Sequence, residues 1–314
     1  MGIRILGSGS YTPKRCMSNE ELAAEKKVDT NDEWIRTRTG IETRHVADAE
    51  ETTPEMGLRA ARLAIEKAGM VPDDIDAIIV ATFTPEFYTP STACVIQKRL
   101  GITKPIMAFD VNAACTGFVY ALTLADGLLA VGHVKNVLVI GTESVTRVTN
   151  WMDRSTCILF GDAAGAMVVG RDDAKDSYFY TKAEGDLDGV IYARAFDTYE
   201  PLHMEGSTVF RFATRAMVES IDAVLDQAGL TIDDIDFIIP HQANKRIIDY
   251  VIKKKKIQPE KVYSNIEHYG NTSSATIPVA YAEMDEANML KSGMKIILVG
   301  FGGGLTWGAS LLTV

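Results

Sequence analysis

Three side chains of this sequence have the chemistry of a covalent catalyst: a thiol, an imidazole and a carboxamide, each set where an apolar run gives way to a turn. Cys115 lies in Asn112-Ala-Ala-Cys-Thr116, between the apolar run Ile106–Val111 and the apolar stretch Gly117–Ala125. The run reads as a buried strand and the stretch as a helix. The unpaired amides and positive dipole end of a helix start favour thiolate over thiol, and small Ala113 and Ala114 permit a sharp turn. A pKa lowered from about 8.5 to about 7 would raise the thiolate fraction at neutral pH from a few per cent to about half, for roughly 2 kcal/mol. The expected role is a nucleophile, although position alone also fits an inert buried cysteine. Cys94, among Ala, Val and Ile, reads as core, and Cys16 and Cys157 as equally inert.

His241 follows Phe237-Ile-Ile-Pro240 and precedes an amphipathic helical stretch with Ile247, Ile248, Val251 and Ile252 on one face. At a strand end it is placed for proton handling or oxyanion donation, or for a structural role. Asn271, in Tyr269-Gly-Asn-Thr-Ser-Ser-Ala275, leads into a helix over 276–288 and by itself reads as a cap. Gly300-Phe-Gly-Gly-Gly-Leu-Thr-Trp-Gly308 lets backbone N–H groups approach a ligand closely, as oxyanion holes and phosphate loops require. It lacks the Lys-Ser/Thr ending of a phosphate-binding Walker loop and the spacing of a dinucleotide fingerprint, which disfavours nucleotide hydrolysis.

These residues need a scaffold, and the chain repeats one. AGMVPDDIDAII at 68–79 returns as AGLTIDDIDFII at 228–239, each copy following an amphipathic helix and running into an apolar strand. Val137–Gly141 and Ile296–Gly300 are a second matching pair, each preceded by a helical stretch closing in glycine. Strands alternating with helices imply largely parallel sheets covered on both faces. The reading is therefore an α/β fold of two equivalent halves, 1–170 carrying the cysteine and 171–314 carrying the histidine and asparagine. No Pro/Gly/Ser-rich linker divides them, so one rigid core is expected.

Ile296–Val314 is uncharged for long enough to span a membrane, but its glycines favour strand, turn, strand over a helix. The N-terminal Met1–Gly7 reads as a strand and not a targeting segment. Of 314 residues 46% are hydrophobic and 24% charged, which excludes disordered and fibrous classes. A net charge of −10 disfavours nucleic acid and anionic membranes as partners. The four cysteines form no C-x-x-C pair, which argues against zinc or a disulfide scaffold and fits a reducing, cytoplasmic setting. Residues 245–256 depart from the acidic average, with six basic side chains against Asp249, and call for an acidic partner or a solvated helix end.

Together these segments resemble the β-ketoacyl-acyl-carrier-protein synthase III family of thiolase-like condensing enzymes, over nearly the whole chain. The resemblance rests on Asp29–Ile41, the Cys115 turn, Asp153–Thr156, Gly161–Gly165, His241–Ile247, Gly270–Ser274 and the terminal glycine loop. It implies duplicated thiolase-like halves in a five-layered αβαβα architecture and a homodimer. It also implies a catalytic set of Cys115, His241 and Asn271, with the backbone of Cys115 and Gly303 holding an oxyanion.

The implied reaction is ping-pong: Cys115 takes an acyl group from an acyl-coenzyme A, and malonyl-acyl carrier protein then enters and loses CO2. The nascent carbanion attacks the acyl-cysteine to give a 3-oxoacyl product. His241 and Asn271 would stabilise the enolate as neutral donors. Coenzyme A is a substrate here, and neither cofactor nor metal is implied. Trp34, Arg38, Arg154, Gly206, Phe210 and Asn244 map onto the coenzyme A site and tunnel. Arg211, Arg246, Lys253 and Lys254 map onto an acidic carrier protein's docking patch. Thr89 stands where the family often has a bulkier residue closing the acyl pocket across the dimer, and its small side chain implies room for starters longer than acetyl. Open alternatives are a condensing or acyl-transfer enzyme of a specialised pathway with another acceptor, a cysteine thioester hydrolase, and a non-catalytic carrier-protein scaffold.

Overall fold

The computed structural model describes residues 2–186, 189–194 and 201–314. The first half supplies β1 (Gly2–Tyr11), α1 (Thr53–Lys67), β2 (Ala77–Ala81), α2 (Thr92–Leu100), β3 (Met107–Val111), α3 (Gly117–Val131), β4 (Asn136–Ser144) and β5 (Asp162–Asp172). The second supplies β6 (Tyr178–Ala183), α4 (Gly206–Ala228), β7 (Phe237–Pro240), α5 (Lys245–Lys255), α6 (Thr276–Glu286), β8 (Lys295–Gly302) and β9 (Thr306–Thr313).

The first sheet runs β1-β5-β4-β2-β3, with β2 parallel to both β3 and β4 and the two remaining pairs antiparallel. The second runs β7-β8-β9-β6 and repeats this order from β6 inward. The counterpart of β3 shrinks to a single parallel bridge, Ile238 to Val262. Each copy of the sequence repeat leaves an outer helix and enters a parallel strand, α1 into β2 and α4 into β7. Residues 296–314 form the antiparallel β8–β9 hairpin and not a helix.

Alternation along the strands builds five layers. In β2, Ile78 and Val80 face α1 and α2, meeting Met56, Ala61, Ala64 and Ile96. Ile79 and Ala81 face the opposite way, onto Phe118, Leu122 and Ala125 of α3. α3 and α6 fill the space between the sheets, where Ile277, Ala280 and Met284 also meet Ile239, Ile296 and Leu298 of the second sheet. Having sheet on both sides, α3 is apolar nearly all round, as a central helix must be. The other face of the second sheet is covered by α4 and α5, through Met217, Ile221, Val224, Ile247 and Val251. The layers are thus αβαβα, the thiolase-like arrangement. Both central helices begin at the C-terminal ends of parallel strands, which is where open α/β sheets gather their ligands.

Candidate active site

The turn before α3 is tightly made. Ala114 has φ of 46°, a left-handed conformation that opens a single 3-10 turn, Ala114–Thr116, and carries Cys115 over the end of β3. Thr306 locks it, donating from Oγ1 to Ala113 O at 3.0 Å, while Thr116 Oγ1 donates to Thr306 O at 3.1 Å. Gly302 passes directly above: a Cβ there would lie 2.7 Å from Cys115 N, so only glycine fits. The turn before α6 is its counterpart, a 3-10 turn Ser273–Ala275 with Ser273 at φ of 53°. Two equivalent turns therefore face each other in the central layer, one bearing Cys115 and the other following Asn271.

His241 sits just beyond β7, its N–H donating to Val299 O at 2.7 Å. The ring is buried, lies edge-on to Phe301 at 5.3 Å, and places Nδ1 2.7 Å from Thr276 Oγ1. Nε2 is buried without a hydrogen-bond partner among the described residues. Burial pushes the imidazole down to about 3, so it is neutral. Asn271 is fixed by its N–H to Leu159 O at 2.8 Å and by Gly161 N–H to its carbonyl at 3.1 Å. Its Oδ1 accepts from Ser273 N at 2.9 Å, so the side chain closes the 3-10 turn and does not cap the helix itself.

The expectation of a thiolate near neutral pH is corrected. Burial pushes the Cys115 thiol up to about 12, with the Glu143 charge adding to the rise and a hydrogen bond to Ser273 opposing it. One helix end is outweighed by desolvation of a side chain that is only 8% exposed. Thiol and imidazole are thus both neutral.

Cys115, His241 and Asn271 line the inner end of one cavity of about 280 Å³. Trp34, Arg38, Gly206, Phe210, Asn244 and Arg246 line it further out. Trp34 lies on the helix Asp32–Thr39, capped by Asn31, and the guanidinium groups of Arg38 and Arg154 lie over its ring at 4.2 and 4.6 Å. Asn244 also caps α5, accepting from Arg246 N at 2.9 Å. A second cavity, of about 380 Å³, opens on the other side of Cys115 between Phe83, Phe160, Ile191, Leu202 and Gly303.

The remaining expected positions lie apart from the thiol. Arg211 and Lys254 line a surface groove between α4 and α5 with Arg215 and Tyr250, and Lys253 is exposed nearby. Two lysines of the basic run are engaged within the chain, Lys255 with Asp222 and Lys245 with Asp249. Thr89 is exposed and lines neither cavity beside Cys115. Sequence reading passed over Glu143, Ser273 and Thr276, which support the site from behind. Glu143 had a legible signal, an acid ending the apolar strand Val137-Leu-Val-Ile-Gly-Thr-Glu.

Two family profiles match, 3-oxoacyl-[acyl-carrier-protein] synthase III over residues 109–186 and its C-terminal counterpart over 225–314. A β-ketoacyl-[acyl-carrier-protein] synthase III of Clostridium novyi (strain NT) is 46% identical, with 99% of this chain and 98% of the relative aligned. The crystal structure of 3-oxoacyl-[acyl-carrier-protein] synthase III from Aquifex aeolicus VF5 superposes with a TM-score of 0.95 at 46% identity, covering 100% of both chains. The priming β-ketosynthase of the R1128 polyketide biosynthetic pathway superposes at 0.94 with 37% identity, covering 99% of this chain and 96% of that one.

Proposed function

The chain belongs to the 3-oxoacyl-[acyl-carrier-protein] synthase III family, and from that premise we propose that it is the acyltransferase condensing enzyme that starts fatty-acid synthesis. It joins an acyl-coenzyme A primer to malonyl-acyl carrier protein, releasing coenzyme A and CO2. The observation that carries the reading is the meeting of Cys115, His241 and Asn271, from three distant parts of the chain, at the inner end of one cavity whose outer part holds Trp34 and Arg38.

In the first half-reaction the Cys115 sulfur bonds to the thioester carbonyl carbon, the bond from that carbon to the coenzyme A sulfur breaks, and the thiol proton leaves on the coenzyme A thiol. Backbone N–H groups of Cys115 and Gly303 hold the carbonyl oxygen as it gains charge. In the second, the C–COO⁻ bond of the malonyl group breaks, and its electron pair spreads onto the thioester oxygen as an enolate. His241 and the Asn271 amide are neutral donors for that oxygen and do not quench the carbanion by protonating it. The carbanion then bonds to the acyl carbon, the bond from that carbon to the Cys115 sulfur breaks, and the departing thiolate takes a proton from solvent to restore the thiol.

Trp34, Arg38 and Arg154 suit a flat base and phosphates at the outer end, with Gly206, Phe210 and Asn244 along the pantetheine arm. Arg211, Arg246, Lys253 and Lys254 suit an acidic carrier protein. The working unit we propose is a cytoplasmic homodimer without cofactor, in which Thr89 of one subunit borders the acyl space of the other. The second cavity beside Cys115 and the small Thr89 support primers longer than acetyl. The likeness to a priming β-ketosynthase of a polyketide pathway favours one alternative, priming of a specialised pathway. Incubation with malonyl-acyl carrier protein and a chain-length series of acyl-coenzyme A thioesters, with products identified by mass, tests both. Activity that falls sharply beyond two carbons refutes the wider primer range, and acyl-Cys115 discharged by water instead of by malonyl thioester refutes condensation.

A further inference from the structure

Which nitrogen of His241 carries the single proton of the neutral ring decides what the residue offers the cavity. Nε2 is buried with no partner among the described residues, while Nδ1 lies 2.7 Å from the hydroxyl of Thr276, the first residue of α6. No other hydrogen bond to Nδ1 forms among the described residues. That hydroxyl also lies 3.0 Å from the Ser273 carbonyl, so two networks are open: the hydroxyl donates to a bare Nδ1, or Nδ1–H donates to the hydroxyl and the hydroxyl to the carbonyl. The carbonyl already receives the backbone N–H of Thr276, which closes the 3-10 turn, so it stays satisfied when the hydroxyl turns away. Nδ1 has no such second donor. The satisfied carbonyl leaves the hydroxyl proton free for Nδ1, and only that network gives the cavity an Nε2–H donor, which the proposed decarboxylation uses.

We infer that Thr276 is a positioning residue: by donating to Nδ1 it fixes the proton of neutral His241 on Nε2, so that the ring presents an N–H donor to the cavity beside Cys115. The same segment orients the second donor. Ser273 N–H is given to Asn271 Oδ1, which assigns the oxygen to the turn and leaves the amide NH2 as the group free to face a ligand. Residues 271–276 thereby set two neutral donors before any substrate arrives, and a preset donor needs no reorganisation when charge develops on an oxygen. The inference rests on the proposed decarboxylation for its use, but the tautomer is a property of the free protein and is measured without turnover.

The test is nitrogen-15 NMR of histidine-labelled wild type, Thr276→Val and Thr276→Ser, free of substrate. Wild type and Thr276→Ser are expected to carry the proton on Nε2 with Nδ1 bare, and Thr276→Val to lose that preference. In parallel, decarboxylation of malonyl-acyl carrier protein by Thr276→Val is expected to fall at least about tenfold, as for a weakened oxyanion donor, and Thr276→Ser to stay within about threefold of wild type. Acyl transfer from acyl-coenzyme A to Cys115 should change far less in either variant. A proton on Nδ1 in the wild type overturns the inference whether or not a variant folds. So does a folded Thr276→Val protein with the wild-type tautomer and undiminished decarboxylation. Failure of wild type to form acyl-Cys115 would instead remove the proposed reaction and leave the tautomer result standing.

Discussion

Ser274 Oγ donates a 2.9 Å hydrogen bond to Glu143 Oε1, and this buried pair fastens the turn after Asn271 to the end of β4. Ser273 Oγ donates to the same oxygen at 3.1 Å, and the hydroxyls of Thr82 and Thr84 reach Oε2 at 3.0 and 2.6 Å. The carboxyl is thus surrounded by donors and is a single anchor for both the Asn271 turn and the loop after β2.

Burial nevertheless raises Glu143 to about 7, the hydrogen bonds opposing the rise. With the folded value above the unfolded one, the native state binds more protons between the two, and stability falls as pH rises through that window. The penalty is absent below the unfolded value and complete above about 7. Urea unfolding of wild type and Glu143→Gln at about pH 4 and about pH 8 should show wild type losing up to about 3 kcal/mol more than the variant on going to the higher pH. Equal losses would show that the donors have cancelled the burial.

Cys115 offers a contest between a helix start and an apolar pocket, and the pocket prevails. Because burial holds the thiol near 12, alkylation by a small neutral reagent should speed up about tenfold per pH unit from about pH 7 to about pH 10, without levelling. A plateau near neutrality would mark a preformed thiolate. Cys115→Ser should abolish labelling of the site by acyl-coenzyme A.

Arg38 and Arg154 both lie over the Trp34 ring, so the outer end of the cavity is a cationic aromatic slot. On the proposed reading this slot meets the nucleotide of acyl-coenzyme A and not the reacting thioester. Trp34→Ala should raise KM for acyl-coenzyme A about tenfold with little change in kcat, the pattern of lost uniform binding. An acyl-pantetheine substrate, which ends short of the nucleotide, should show no difference between wild type and variant. A matching rise with the truncated substrate would make Trp34 a structural residue.

The layering was legible because its signals are local and repeated, but the sheets are mixed and not largely parallel, since β1, β5, β6 and β9 pair antiparallel. The acidic turn at 72–76 and 232–236, the runs Ala77–Ala81 and Phe237–Pro240, and the small-residue turn at Cys115 follow from periodicity and turn chemistry. Where the residues converge could be named but not measured. The acidity of Cys115 depends on how fully α3, α6 and β8 enclose it, and no stretch of sequence records enclosure. Thr276 looked like any first residue of a helix, since its partner is 35 positions away in the chain. The charge of the basic run could be counted from sequence but its pairing could not: Asp222 of α4 engages Lys255 and Asp249 engages Lys245.

That division of the basic run makes carrier-protein docking separable from charge as such. Arg211 and Lys254 face one open groove from α4 and α5, while Lys255 is tied to Asp222. A partner arriving with negative charge is steered by the free cations, and steering acts on association and is screened by salt. Lys254→Ala should therefore lower kcat/KM for malonyl-acyl carrier protein about fivefold at low ionic strength, the difference shrinking in high salt. Acylation by acyl-coenzyme A, which does not use this groove, should be unchanged. Lys255→Ala removes the same formal charge from the same helix end but should leave carrier kinetics within about twofold, because its ammonium is already committed. Equal effects of the two substitutions would show that only the overall field of α5 matters, and that the groove between α4 and α5 is not where the carrier docks.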